Sequence, residues 1–379
     1  MVRALVLDTG KRLCDEALAQ FAGEVDLLRL STSTTGPLSV PAFEPERQTV
    51  RIVDGLVARS PFQHVVASSE SNLAFAGFLH SRYGLPGMSY DQALVATNKW
   101  RMKQRLAEAL PSAACWLSGD FLAGPHRPSE VVVKPLSGSS CKGVRRLPTD
   151  QALQELADHD ELLLVEEAVD IECELHCDGV VRGGELLVAL PSAYDRPVLG
   201  AVGTTHASIH LPAHDDRHEA AVQAAHHVVE TLRIGTQGIA DFVFHLELFQ
   251  VHGELLFGEI GLRPAGAGIA ESLRHFHGVD IWAEFVGLQL GRPPRVGSQT
   301  RRDSRTYRGV TAITPDVRLS AQDLLAVPGI SHVSPGSPKA HREAEAGSSC
   351  AFTHLAFFEF VTELQARQTI AHLNRVGTR

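Results

Sequence analysis

Apolar and polar positions alternate most regularly over residues 241 to 268, DFVFHLELFQVHGELLFGEIGLRPAGAG. Phe242, Phe244, Leu246 and Leu248 fall on one face of an extended segment, and His245 and Glu247 fall on the other. His252-Gly253 marks a turn and a second apolar run then climbs to Glu259, so the stretch predicts an antiparallel hairpin. A two-residue loop would set Glu247 and Glu259 on opposite faces. A three-residue loop, His252-Gly253-Glu254, pairs Val251 with Leu255 and Glu247 with Glu259. That register also puts Leu256, Ile260 and Leu262 on the face of Phe244 and Leu246, so the hydrophobic pattern favours it. Two directly opposed carboxylates repel each other and need a cation. Hard oxygen ligands with no cysteine beside them suit Mg²⁺. The alternative is a surface hairpin with two solvated glutamates.

The rest of the pattern is that of an α/β chain. Residues 3–7 and 64–67 read as strands and 11–21 and 71–83 as helices, predicting a small, mostly parallel α/β layer up to about residue 96. Thr97 or Asn98 caps a further helix, in which Lys99 opposes the macrodipole unless it reaches an anion. Residues 130–134 form a β-branched strand ending in Lys134-Pro135, and 161–165 form another that runs into Glu166-Glu167-Ala168-Val169. Residues 172–179 alternate and are expected to turn at Asp178-Gly179. A helix starts at Asp215-Asp216 and reaches about residue 232, and 269–287 is helical with Ile269, Leu273, Phe276 and Ile281 inward. The polar stretch 297–307 breaks the pattern and marks a boundary. Beyond it lies an α/β tail with a strand near 310–313, a turn at Pro328-Gly329-Ile330 and a last helix from Glu363.

Composition narrows the class. With 379 residues, 44% hydrophobic and 21% charged, the chain has room for two or three ordinary globular domains. A net charge of −9 argues against general affinity for nucleic acid or anionic membrane. No apolar run approaches the length of a membrane span, and the opening residues are too brief for a signal peptide. Six cysteines without a Cys-x-x-Cys pair predict a reduced, cytoplasmic protein.

Several other stretches carry candidate chemistry. Ser68-Ser69-Glu70 follows a strand, where ligands sit in such layers; the same residues also suit a helix N-cap. Small residues at 137–141 and Gly143 can turn backbone N–H groups inward as an anion nest, or form a flexible hairpin loop; the segment lacks the P-loop pattern. Cys173, His176 and Cys177 suggest zinc, but alternation separates the cysteines from the histidine. His206, His210, His214 and His218 recur every fourth residue, and Pro212 interrupts the helix a metal stripe would need.

In order, these pieces resemble the ATP-grasp superfamily across most of the chain. A helix-opening Lys99 is followed by the strand-end Lys134 with a glycine-serine loop, the Glu166-Glu167 hinge and a Glu174-x-x-x-Asp178-Gly179 strand. Then come Gly-Ile-x-Asp-Phe-x-x-His-x-Glu at 238–247 and Glu259-Ile-Gly-x-Arg263-Pro-x-Gly. The tail with its Pro-Gly-Ile turn is similar to the closing domain of L-amino acid ligases and carnosine-synthase-like enzymes.

The resemblance implies an α/β (α+β) fold of three parts. These are an N-terminal Rossmann-like domain over 1–96, an ATP-grasp unit over 97–305 and a small α/β domain over 306–379. The middle unit would comprise a mobile lid of about 113–185 and a core antiparallel sheet over 186–305. ATP would lie between lid and core. Lys99 and Lys134 would touch phosphates, and Ser137, Gly138, Ser139, Ser140 and Gly143 would cover them. Glu166 or Glu167 and the Val169 backbone would take the adenine amino group, and Glu174 the ribose. Glu247 and Glu259 would bind Mg²⁺, with Mn²⁺ as an alternative. Glu70, His206, Arg263, Gly266 and Gly268 would meet the substrates, with Lys134 and Arg263 acting in catalysis. A surface position in a loop is the other reading of His206. One departure stands out: where the family pattern has Glu-x-Asn, this chain has Gly261, which offers no ligand. The implied reaction is ATP-dependent amide formation between a small carboxylate and an amine, amino acids above all, with no nucleic acid or membrane partner and with a homodimer allowed. Within the superfamily a kinase or acid–thiol ligase is the rival, and outside catalysis a nucleotide-binding regulator.

Overall fold

Strand β1 (Val2–Asp8) sits between β2 (Val25–Ser31) and β3 (His64–Ala67), both parallel to it. The structure, a computed structural model, describes residues 2–33, 38–125, 127–201, 203–235, 238–296, 305–336 and 352–376. Helices α1 (Arg12–Ala19), α2 (Arg47–Arg59) and α3 (Leu73–Tyr83) cover the small parallel sheet. β2 is hard to read from pattern because it carries charges: Asp26 pairs with Arg3 at 2.6 Å, and Arg29 with Asp15 at 2.6 Å and Asp8 at 3.0 Å. Helix α4 (Tyr90–Thr97) ends where α5 (Lys99–Leu106) begins. The cap of α5 is Asn98, whose Oδ1 accepts from the Arg101 N–H at 3.1 Å.

A second, antiparallel sheet contains β4 (Cys115–Leu117), β5 (Glu130–Pro135), β6 (Arg145–Pro148) and β7 (Leu163–Glu167) in the order β4-β7-β5-β6. With α6 (Ser118–Ala123) and α7 (Thr149–Ala157) it builds a small core of its own, which includes Phe121, Val131, Val133, Leu156 and Val165.

The third sheet is the largest. It comprises β8 (Cys173–Arg182), β9 (Glu185–Tyr194), β10 (His206–His210), β11 (Phe242–Val251), β12 (Glu254–Gly261), β13 (Tyr307–Ile313), β14 (Ile330–Pro335) and β15 (His354–Phe360). Their order is β12-β11-β8-β9-β10-β13-β15-β14. Helices α8 (Asp216–Arg233), α9 (Ile269–His277), α10 (Ile281–Gln289), α11 (Ala321–Leu325) and α12 (Glu363–Val376) accompany it. The sheet continues through β13–β15, so the chain's last strands extend it; most of the polar stretch expected as a boundary, 297–304, lies outside the described residues. β8, inside the expected lid span of about 113–185, pairs with β9 and β11 in this large sheet. Among the described residues no helix is long and apolar enough to cross a membrane.

Three local expectations are corrected. β8 does not turn at Asp178-Gly179; it runs on to Arg182 and turns at Gly183-Gly184. Gly179 serves a close approach, since a Cβ there would lie 2.3 Å from the Val188 carbonyl oxygen and 2.5 Å from the Phe244 ring. The helix expected over 269–287 is two, broken where Gly278 takes φ +70° and Asp280 caps α10 through the Ala283 N–H at 3.1 Å. The loop between β11 and β12 is the third, and it bears directly on the site.

Candidate active site

His252 and Gly253 both have positive φ (50° and 79°), the requirement of a two-residue hairpin loop, and Val251 pairs with Glu254. The expected three-residue loop is therefore wrong. Glu247 nonetheless pairs with Glu259, because a bulge at Gly258 takes up one residue between Leu248↔Phe257 and Glu247↔Glu259. Only glycine suits the bulge: a Cβ would lie 2.9 Å from the Phe249 ring and 3.0 Å from the Glu247 carbonyl oxygen. The bulge also reassigns the apolar face, so that Leu255 and Phe257, not Leu256, pack with Phe244 and Leu246.

Cations gather around this pair. Lys99 Nζ lies 3.1 Å from Glu259 Oε1 and donates to the Gly138 carbonyl at 2.6 Å, so the adverse position of a first-turn lysine is compensated by an anion. Lys134 Nζ is 2.8 Å and Lys103 Nζ 3.0 Å from the two oxygens of buried Glu166. Burial opposes ionisation of Glu166, but Lys134 and Lys103 outweigh it and hold its pKa low; burial likewise opposes the Lys134 charge, and Glu166 and Glu259 raise its pKa. Glu259 is pushed up by burial against the pull of Lys99 and Lys134, with Glu247 adding repulsion.

Behind Glu247 lies a wholly buried polar chain. His245 Nε2 is 3.4 Å from Glu247 Oε1, and its Nδ1 is 3.0 Å from Asp178 Oδ1. Asp178 Oδ2 is 2.7 Å from His176 Nδ1, and His176 Nε2 is 2.8 Å from Ser208 Oγ. Burial disfavours the His245 cation, but Asp178 and Glu247 raise its pKa to about 9. Burial also disfavours the Asp178 anion, yet the two imidazoles hold its pKa well below the usual carboxylate range. Glu247 is likewise lowered against its burial, chiefly by His245.

Glu247, Glu259, His245 and the two lysines Lys99 and Lys134 border a cavity of about 650 Å³, the size of a small-molecule site. Lys99, Lys134, Ser137, Gly138, Ser139, Ser140, Glu166, Glu167, Val169, Glu174, His206, Glu247, Glu259, Arg263 and Gly266 all line it. Burial and nearby Glu247 push Glu174 up to about 8, against the Val198 N–H that its Oε2 accepts at 2.8 Å. His206 is buried at the start of β10 rather than in a surface loop. Arg263 Nε and Nη2 reach Glu70 Oε2 at 2.9 and 2.8 Å, and the contact brings Glu70 to the site from the N-terminal α/β layer. A Cβ on Gly261 would lie 3.4 Å from the Arg263 guanidinium carbon, an ordinary contact, so the two residues are neighbours at the site.

Other expected residues do not line the cavity. Ser69 donates its N–H to Asn72 Oδ1 at 3.1 Å, a capping contact, and buried Ser68 donates to the Leu7 carbonyl at 2.6 Å. Gly143 abuts Pro135, where a Cβ would meet Cγ at 3.1 Å. Gly268 packs against the last strands: a Cβ would lie 2.5 Å from Leu355. Cys177 is buried in the apolar core and Cys173 meets Arg217 at 3.6 Å, so neither joins His176 in a zinc site. His206 and His210 sit on β10, His214 is exposed, and His218 is on α8, so there is no helical stripe. Sequence reasoning missed Lys103, Tyr194, Asp178 and His245 as site residues. Lys103 had a readable signal in its place one helical turn after Lys99, and Asp178 and His245 lie inside the ordered motifs.

No family model matches the chain. An L-arginine-specific L-amino acid ligase of Bacillus subtilis is 29% identical over 258 residues, covering 62% of this chain and 60% of that protein. The match thus spans less than two thirds of the curated relative's length. The solved L-amino acid ligase of Bacillus licheniformis superposes with a TM-score of 0.72 at 16% identity, over 98% of this chain and 96% of that one. A carboxyaminoimidazole ribonucleotide synthase from Aspergillus clavatus, solved with ATP, gives 0.71 at 17% identity over 99% and 98%. These likenesses, over nearly the whole length of both chains, show what the ordered motifs implied: the chain has the ATP-grasp fold.

Proposed function

We propose that the chain is an ATP-dependent carboxylate–amine ligase that joins two amino acids, or an amino acid and a small acid, through an acyl phosphate and releases ADP and phosphate. The observation that carries this reading is the convergence of the Glu247–Glu259 pair, Lys99, Lys134 and Arg263 on one cavity. The likeness to ligases named for amino acid substrates supports it. In this reading residues 1–96, 97–305 and 306–379 act as three parts and the small sheet is the lid.

Glu247 and Glu259 would hold Mg²⁺. The donor set fits: two hard carboxylates face each other, and the Cys141 thiol in the same cavity is pushed up to about 12 by burial and stays protonated. When bound, the ion neutralises phosphate oxygens and the phosphoryl group in transfer. Lys134, fixed by Glu166, and Lys99, free to leave Glu259 for a stronger anion, neutralise the same phosphates from the protein side. The 137–143 loop, with Gly138 at φ +121° and Gly143 at φ +72°, turns its backbone over them. Glu167 and the Val169 backbone border the adenine end, and Glu174 the ribose. Arg263 binds the carboxylate and then the oxyanion that forms when the amine attacks. Glu70 orients the guanidinium, and His206 and Gly266 border the substrates.

ADP and phosphate release should require an acid and an amine together, with amide detected by mass spectrometry across pairs of amino acids. Glu259→Gln should nearly abolish it in a folded protein. ADP formation that needs no amine would point to a kinase, and nucleotide binding without turnover on any pair would point to a regulator.

A further inference from the structure

The two facing carboxylates are held differently. Glu259 is met by Lys99, a flexible cation that also touches the Gly138 carbonyl. Glu247 is met by an imidazole that has no such freedom. His245 and Glu247 project from the same face of β11, and the ring lies between Glu247 and Asp178. Asp178 is wholly buried on β8, directly across from His245, and faces two imidazoles. A buried carboxylate bonded on both oxygens fixes the plane and direction of the ring it accepts from. The Tyr194 hydroxyl hydrogen-bonds the same Nε2 at 3.2 Å, so that nitrogen is held between the phenol and, in an ion-pair contact at 3.4 Å, Glu247.

We infer that His245 is the positioning residue of Glu247, clamped by Asp178 so that the carboxylate is aimed at the metal before the metal arrives. The inference rests on the reading of Glu247 and Glu259 as metal ligands. It also bears on Gly261: with no third side-chain ligand in the motif, the site depends more heavily on the aim of the two it has.

The test is Mn²⁺ affinity in the presence of ADP, measured by electron paramagnetic resonance, for wild type, His245→Gln and His245→Asn. His245→Asn can keep the Asp178 contact, its amide nitrogen standing where Nδ1 stands, but is too short to meet Glu247, so it provides a foldable variant should His245→Gln fail. Both should bind Mn²⁺ about tenfold or more weakly, the size expected for loss of a group that orients a ligand, while metal-free nucleotide affinity stays within about twofold. Raising Mg²⁺ should restore turnover in both, a rescue that a general packing defect would not give. Wild-type Mn²⁺ affinity in a folded variant overturns the positioning role and leaves the ligase reading intact. Absence of nucleotide-dependent Mn²⁺ binding in the wild type overturns the metal pair itself, and this inference with it.

Discussion

Arg263 lies four residues beyond Glu259, and a regular strand would put both on one face. Spacing alone does not give its carboxylate partner. The structure gives Glu70, 193 residues away, and gives Glu271 to Arg12 at 3.4 Å. Local pattern could nominate Arg263 and Glu70 separately, since each follows a strand end. It could not pair them, because their meeting depends on how the first lobe packs on the large sheet. Burial opposes the Arg263 charge, and Glu70 more than restores it. The guanidinium presents two nitrogens to one Glu70 oxygen and has further donors for a substrate anion. A lysine keeps the charge but offers a single nitrogen for both tasks. Arg263→Lys should therefore bind ATP as the wild type does by calorimetry and lose about a hundredfold in amide formation, the size of one transition-state donor. Equal losses in both would make Arg263 a nucleotide contact instead.

At the scale of elements, alternation located β11 and β12 well, and the bulge decided their register. Nothing in the hydrophobic pattern distinguishes Gly258 from Gly253 as the residue that adjusts the pairing; the Phe249 ring does that in three dimensions. β10 was harder still. Its residues His-Ala-Ser-Ile-His suggest a loop or a ligand stripe, yet all are buried. The polar ones are matched by neighbours: His210 shares hydrogen bonds with Ser192 Oγ on β9 at 3.0 Å and with Ser272 Oγ on α9 at 2.8 Å. Burial, with His277 and His176 beside it, drives the His210 pKa well below 6.5. The native state therefore binds fewer protons here than the unfolded chain. The stability this contributes is full above about pH 6.5 and falls as pH drops below it. His210→Gln should remove that acid loss, so that between about pH 6.5 and 5.5 its urea-unfolding stability changes with a slope differing from the wild type's by up to about 1.4 kcal/mol per pH unit, in the sense of losing less on acidification. An unchanged slope would show that His210 is not the group taking up the proton.

Across the whole molecule, apolar packing divides the chain differently from the sequence motifs. The first lobe shares one continuous core with the large sheet: Val6, Val65 and Phe75 belong to the same cluster as Val180, Val243, Leu273 and Phe285. The small sheet keeps a separate core, and its polar ties to the rest include the Lys103–Glu166 pair and the Lys99 contact to Gly138. Shared apolar cores unfold together, whereas a separately packed unit held by a few polar ties can open alone. Native-state hydrogen exchange should therefore find β1, β8 and β11 exchanging at one common, high free energy, and β5 to β7 at a lower one. ATP with Mg²⁺ should slow exchange in β5 to β7 and in the 137–143 loop more than in β1, because a ligand gripped between the two sheets bonds both. Lys103→Met removes one of the two cations on buried Glu166 and leaves the first lobe untouched; breaking such a pair costs about 3–5 kcal/mol. That variant should lower protection of β5 to β7 and leave β1 unchanged. If β5 to β7 instead exchange with β11 in both proteins, the small sheet is part of one cooperative body and cannot serve as a lid.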